Sequence, residues 1–383
     1  MKSSPSFAYL TTSFQTADSF PCRRGLSRIE IVVTAGVIFL GLSLTILYLG
    51  QSRTTSRARE CEARQIELGR TLLFQAQITG HFVGSNQPYQ GKDSTRPIAW
   101  PVVSLRYLSR PLDRKTGELP GQDVLGRYAI YHDNLKQLSH ESGQAELSAM
   151  FLRELVCPED PRIATAAPSP SAQEGTRKPG RAALSYVLNC GLPDSDAAPS
   201  TDSQEFWPDY PENGIGLDQM STRGDLSRNS LEAVEAADGT AFTFLLSENA
   251  DATLWTEAGE SSSGFLWSTF YGSDGKADDR YPMPQALAIN ERRGERAKSA
   301  GESALLFARP SSYHAEPGKD KSIRGVFVLF CDGHTKFVSE QLDRQLYLAF
   351  MTPQGTQTRQ PGTGTLLESP WKEERAPASE EQR

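Results

Sequence analysis

Polar and apolar positions divide the chain sharply near its start. From Ile31 to Gly50 the sequence reads IVVTAGVIFLGLSLTILYLG, without a charged residue. A helix rises about 1.5 Å per residue, so this run matches one hydrocarbon core of about 30 Å, and its being apolar all round predicts a membrane span. After Gly50 the pattern turns amphipathic. In RARECEARQIELGRTLLFQAQI, Ile66, Gly69, Leu73 and Ala76 recur at helical spacing, as do Leu68 and Leu72. One helix is predicted to continue to about Ile78, with Gly80 stopping it.

From His81 to about Gly355 short apolar runs alternate with Pro, Gly, Asn and Asp. FTFLLSE (242–248) and GVFVLFCDGHTKFV (325–338) are the clearest strands, the second with apolar residues on both faces and an Asp332-Gly333 turn that predicts an antiparallel hairpin. Residues 159–182 are rich in Pro, Ala and Ser and predict an exposed loop insert; residues 356–383 predict a disordered, charged tail. The expected organisation is a leader (1–25), a membrane and spine helix (26–80), an α+β head (81–355) and the tail.

Composition narrows the function classes. With 38% hydrophobic and 23% charged residues over 383 positions, the chain is neither a polytopic membrane protein nor wholly disordered. A formal charge of −7 argues against nucleic acid as a partner.

The residues before the apolar run carry the strongest signal. Arg23-Arg24-Gly25 precedes it, and Glu30 stands at its edge, where a carboxylate is costly and marks a function or a partner. Cleavage after Gly25 would make Leu26 the new N-terminus and Glu30 its fifth residue. RRG|LSRIEIVV resembles the processing site of type IV pilins and type II secretion pseudopilins. The resemblance implies a prepilin peptidase that removes the leader and methylates the Leu26 amine, with Glu30 pairing with a neighbouring subunit. Leu26 and Arg28 depart from the usual Phe and apolar residue there.

A second resemblance covers most of the chain. CEARQIELGRTL, Trp100 with Leu108, FLRELVCPEDPR, LSYVLNCG, DGTAFTFLLSENA, GVFVLFCDGHTKFVSE and YLAFMTPQG occur in the order found in a large bacterial family of pilin-like proteins carrying the domain of unknown function numbered 1559. Its C-terminal motif, a His followed by Asp-Gly, is matched by His314, Asp332 and Gly333, with a loop between them longer than the family's usual one.

Candidate chemistry is sparse. Cys22 would leave with the leader. Cys157 and Cys190 flank the insert and form the expected disulfide in an oxidising compartment, while Cys61 and Cys331 are expected to be free. The histidines (81, 132, 140, 314, 334) are scattered and no C-x-x-C occurs, so no metal is expected. Asp274, Asp278 and Asp279 lack the order of a calcium loop and read as a solvated turn. Gly301-Glu302-Ser303-Ala304-Leu305 lacks the last Gly of a nucleophile elbow, and Ser247-Glu248-Asn249 reads as a turn cap. His314 with Asp332 is the remaining dyad candidate.

These readings predict an α+β, pilin-like protein, with a long N-terminal transmembrane spine helix packed on an antiparallel sheet. It would be a non-enzymatic, cofactor-free subunit of a type II secretion or type IV pilus-like system, single-pass in the inner membrane with its head outside the cytoplasm. Prepilin peptidase, other pilin-like subunits and the membrane are the expected partners. The competing expectation is an anchored surface or binding protein that does not polymerise.

Overall fold

The computed structural model describes residues 27–90, 95–108, 152–162, 183–193, 209–220, 228–267, 288–296, 304–317, 322–359 and 366. Gly25 and Leu26, residues 163–182 of the insert, the Asp274–Asp279 cluster, Gly301–Ser303 and most of the tail lie outside them. The chain forms two compact units, Met1–Ser52 and Arg53–Arg383.

Helix α1 (Arg28–Thr79) begins with a reciprocal cap. The Ser27 N–H donates to Glu30 Oε2 at 2.7 Å, and the Glu30 N–H donates to Ser27 Oγ at 3.3 Å. This Ser-x-x-Glu box satisfies two donors that a helix start leaves open. In the first unit the apolar side chains of Ile29, Ile31, Val32, Val33, Val37, Ile38, Phe39, Leu40 and Leu42 are exposed.

In the second unit, Ala58, Cys61, Gln65, Leu68, Leu72 and Ala76 form one buried stripe of α1. Their spacing of three and four residues keeps them on one face. Gly69 belongs to it because a Cβ there would lie 2.4 Å from Leu329 Cδ2. Gln65 Nε2 donates to the carbonyls of Leu246 (2.9 Å) and Phe327 (3.0 Å), tying the helix to two strands of the sheet. Gly80, at φ +77°, ends the helix, its N–H donating to Ala76 O at 2.8 Å.

Strands β1 (Asn86–Gln90) and β2 (Thr95–Ala99) form a small antiparallel ribbon that leads into helix α2 (Trp100–Ser104). The main sheet has five strands: β3 (Tyr186–Gly191), β4 (Phe244–Glu248), β5 (Gly264–Leu266), β6 (Gly325–Phe330) and β7 (Thr335–Ser339), in the order β5-β3-β4-β6-β7. Every residue of β3, β4 and β6 is buried, so both faces of the sheet are covered. One face meets α1. On the other, helix α3 (Arg344–Met351) places Phe350 5.1 Å from the Phe244 ring and 5.7 Å from Phe330, and Asn189 Nδ2 donates to Met351 O at 2.7 Å. Asp343 caps α3 by accepting from the N–H groups of Gln345 and Leu346.

The β6–β7 hairpin forms where the apolar run and Asp332-Gly333 put it. Gly333 adopts φ +92° and its N–H donates to Phe330 O at 3.0 Å, a turn that glycine enters without a Cβ penalty.

The chain is α+β, but the expected pilin-like architecture is corrected in two respects. The sheet is mixed, because β5 pairs parallel to β3 while β3–β4, β4–β6 and β6–β7 are antiparallel. In addition, no helix among the described residues is long and apolar enough to cross a membrane. The transmembrane spine on an antiparallel sheet is therefore not the architecture observed.

Candidate functional site

The folded head buries a cluster of sulfur, imidazole and carboxylate that no local stretch of sequence contains. Its first component comes from α1, whose buried stripe carries Cys61 to the sheet. The second comes from the segment 152–162, where a turn of 3-10 helix (Arg153–Leu155) is held to the start of β3 by the Ser185 N–H donating to Leu155 O at 2.9 Å. That strap delivers Cys157 to Cys61. The two are joined by a disulfide with sulfurs 2.05 Å and Cα atoms 5.0 Å apart.

The expected Cys157–Cys190 bond is thus corrected. Cys157 follows the strap at the beginning of β3, whereas Cys190 sits near the other end of that strand. At about 3.3 Å per residue the separation along β3 is roughly 17 Å, far beyond the 4.4–6.8 Å a disulfide tolerates. Cys190 and Cys331 are buried thiols, and Cys61, expected to be free, is the bonded partner.

Glu248 closes β4 and points into the same cluster. Its Oε2 accepts from the Phe327 N–H at 3.0 Å, and its Oε1 lies 2.9 Å from His314 Nε2. Both residues are at most 2% exposed. His314 Nε2 is also 3.3 Å from Cys157 Sγ. On the other ring nitrogen, Glu159 Oε2 approaches Nδ1 to 2.7 Å, a close ion-pair contact without the alignment of a hydrogen bond. Burial alone would pull the imidazole toward neutrality, but the attraction of Glu248, followed by Glu159, outweighs it. The His314 pKa is pushed up to about 10. The ring is an imidazolium between two carboxylates.

The surroundings hold this arrangement in place. Ser312 Oγ donates to Gly325 O at 2.7 Å and accepts from the His314 N–H at 3.1 Å, fixing the backbone just before β6. Tyr186 Oη donates to Cys61 O at 3.2 Å. Burial first, then the neighbouring charge of Glu248, pushes that phenol well above its ordinary range. Asp160, next to Glu159, is buried against Arg162 at 2.5 Å and accepts from Ser185 Oγ at 2.7 Å. Arg162 in turn donates to Leu184 O and Ala252 O. Residues 159–162, assigned by composition to a loose insert, are therefore packed against the head. A narrow cleft lined by Cys157, Glu159, Ser185, Glu248 and Tyr313 reaches this cluster.

His314 and Asp332 are not brought together. An antiparallel bridge between Ala315 and Arg324 returns the chain immediately to the start of β6, and the Glu316 N–H donates to Ile323 O at 2.9 Å. His314 stands at one end of β6 and Asp332 follows the other, about 20 Å away at strand rise. Asp332 instead accepts from the His334 N–H at 3.0 Å, with His334 Nδ1 at 2.6 Å, while the His334 ring stacks on Phe330 at 4.1 Å. With Gly333 these residues shape the hairpin turn.

Sequence reasoning missed Glu248, read as a turn cap, and Cys61, read as free. Four groups from positions 61, 157, 248 and 314 offer no spacing to recognise. The reachable signal was a glutamate ending the largely apolar strand FLLSE, a position whose burial requires a partner. Of the other expected residues, Glu30 lies in the first turn of α1, and Gly25 and Leu26 fall outside the described part. Comparison with protein-family models, curated proteins and solved structures finds no match to this chain.

Proposed function

We propose that the chain is an exported, pseudopilin-like assembly component of a type II secretion or type IV pilus-like system. In this reading prepilin peptidase cuts it after Gly25, and it resides at the inner membrane with its head on the extracytoplasmic side. The observation that carries the reading is the sequence Arg23-Arg24-Gly25-Leu26 followed by Glu30 and an uncharged run. Two structural features support it. The exposed apolar side chains between Ile29 and Leu42 require lipid or neighbouring subunits to cover them. The Cys61–Cys157 disulfide suits an oxidising compartment. Its role is structural rather than catalytic, and its partners are pilin-like subunits and the secretion machinery, not nucleic acid.

A second reading is favoured by one observation, the engagement of the Glu30 carboxylate by the Ser27 N–H. A Glu30 committed to its own helix start is not free to pair with a neighbouring subunit, which suits a processed surface protein that does not polymerise.

Mass spectrometry of the N-terminal peptide from cells tests the processing common to both. N-methylated Leu26 is expected; a chain that retains residues 1–25 overturns it. Crosslinking in the membrane then separates the two readings, since an assembly subunit gives ladders of pilin-like partners and a surface protein gives none.

A further inference from the structure

The ligand-capable atoms of Cys61, Cys157, Glu248 and His314 all lie within 4.8 Å of one another, and all four residues are buried. We propose that these side chains form a zinc site in the thiol form of the chain, and that zinc and the disulfide are alternative occupants of the same place.

The donor set is two sulfurs, one imidazole nitrogen and one carboxylate oxygen, a combination suited to tetrahedral zinc. Zn–S near 2.3 Å and Zn–N near 2.0 Å put tetrahedral ligand atoms about 3.3–3.8 Å apart. In the thiol form the two sulfurs, 2.05 Å apart when bonded, must part by side-chain rotation across a Cα separation of 5.0 Å between Cys61 and Cys157.

A second, independent observation points to a metal. Histidines that bind metal characteristically give their other ring nitrogen to a carboxylate, which fixes the ring's orientation. His314 has a carboxylate on that side, Glu159 Oε2 standing 2.7 Å from Nδ1 as an ion-pair contact that a small rotation would align, while Nε2 faces Cys157 and Glu248. Glu248 is likewise oriented from behind, its Oε2 held by the Phe327 N–H and its Oε1 directed into the cluster. Buried Glu248 and half-buried Glu159, converging on one imidazole, also leave local negative charge that a divalent cation offsets.

The exchange balances with a dithiol reductant. Thiolate attack on the Cys61–Cys157 bond passes through a mixed disulfide and ends with two protein thiols and an oxidised, cyclic dithiol. Zinc then replaces the two thiol protons and the Nε2 proton, which leave to solvent, while Nδ1 keeps its proton toward Glu159. A small-molecule disulfide oxidant reverses the exchange: one thiolate attacks it to give a mixed disulfide, the second displaces the remaining thiolate, the oxidant leaves as two thiolates, and Zn²⁺ is released as the Cys61–Cys157 bond re-forms.

The test uses the full chain, reduced anaerobically with dithiothreitol, desalted and exposed to Zn²⁺, beside an untreated oxidised sample. Gel filtration followed by metal analysis is expected to give one zinc per reduced chain and none per oxidised chain. Co²⁺ in place of Zn²⁺ should give thiolate-to-metal charge transfer and tetrahedral d–d bands. His314→Ala and Cys61→Ser should abolish retention, Cys190→Ser should leave it unchanged, and Glu159→Gln should weaken affinity about 10–100-fold. Because these variants could misfold, alkylation of the reduced wild-type chain is read in parallel. Zinc should protect Cys61 and Cys157 and leave the rates at Cys190 and Cys331 unchanged. A reduced chain that retains no zinc, retention that survives Cys61→Ser, or protection that does not favour Cys61 and Cys157 overturns the proposal.

Discussion

Glu248 Oε1 lies 2.9 Å from His314 Nε2, and the other oxygen of the same carboxylate accepts from the Phe327 N–H at 3.0 Å. One side chain thereby joins the end of β4, the interior of β6 and the loop that leads into β6. Glu248→Gln keeps the shape but removes the charge that compensates the imidazolium. Breaking a buried pair costs roughly 3–5 kcal/mol. About 3 kcal/mol is expected here, because the ring can shed its proton. Urea denaturation checks this, with a lower midpoint at unchanged slope.

The same pair sets a pH dependence in the disulfide-bonded chain. His314 is ordinary near 6.5 when unfolded and is held to about 10 when folded by Glu248 and Glu159, against the effect of burial. A raised folded value means that the native state binds the proton more tightly. The stabilisation is complete below about pH 6.5, declines above it, and is gone beyond about pH 10. Tyr186 and the Asp160–Arg162 pair also face this region, so the difference between wild type and Glu248→Gln is the quantity to follow. Denaturation midpoints from pH 6 to 10 should show that difference narrowing as pH rises; a constant gap would contradict the assignment.

The disulfide spans a sequence separation of 96 residues. In the chain-entropy account, closing a loop of that length removes roughly 4–5 kcal/mol of unfolded-state freedom, with typical measured contributions of about 2–4 kcal/mol. Cys157→Ser should therefore lower stability by about 2–4 kcal/mol. Peptide mapping without reductant should recover Cys61 linked to Cys157 and Cys190 outside any disulfide. A Cys157–Cys190 peptide would contradict the observed pairing.

What could be read from the sequence was local. The β6–β7 hairpin was legible because a continuous apolar run and a turn dipeptide occur in one stretch. Leu68, Leu72 and Ala76 were legible on α1 because helical periodicity is a short-range pattern, and Gly80 because a glycine after such a run ends it. Strand β5 was not, since three residues show no alternation and its parallel pairing with β3 is decided by a partner more than seventy positions earlier. The cluster around His314 was invisible for the same reason, being assembled by tertiary packing alone. The Cys157–Cys190 expectation failed because proximity to an insert was taken for proximity in space, whereas Ser185 and Leu155 fix which end of β3 meets Cys157.

Close approach of α1 to the sheet rests on Gly69. A Cβ at that position would stand 2.4 Å from Leu329 Cδ2, so even alanine requires Leu329 to shift. Gly69→Val adds more bulk on a buried face and should destabilise by about 1–3 kcal/mol through overpacking. Leu329→Ala alone leaves a cavity, but in the double variant part of the loss should be recovered. A double-mutant cycle in urea measures that coupling, and additive effects would show that the two side chains do not share the space.

Ser27 and Glu30 allow the capping role of the glutamate to be separated from a role in assembly. The two residues exchange backbone-to-side-chain hydrogen bonds, so each contributes to the helix start. Loss of such a cap loosens the helix start locally. If Glu30 acts only as a cap, Ser27→Ala and Glu30→Ala should produce similar fraying at the start of α1, seen as faster amide exchange there, and similar recovery of the chain in membrane complexes. If Glu30 also recognises a neighbouring subunit, Ser27→Ala should fray the helix yet leave incorporation intact, whereas Glu30→Ala should abolish it. Glu30→Asp sharpens the comparison: it keeps the charge but shortens the reach to the Ser27 N–H. Incorporation that survives Glu30→Asp while fraying increases would assign the charge to the neighbour and the geometry to the cap.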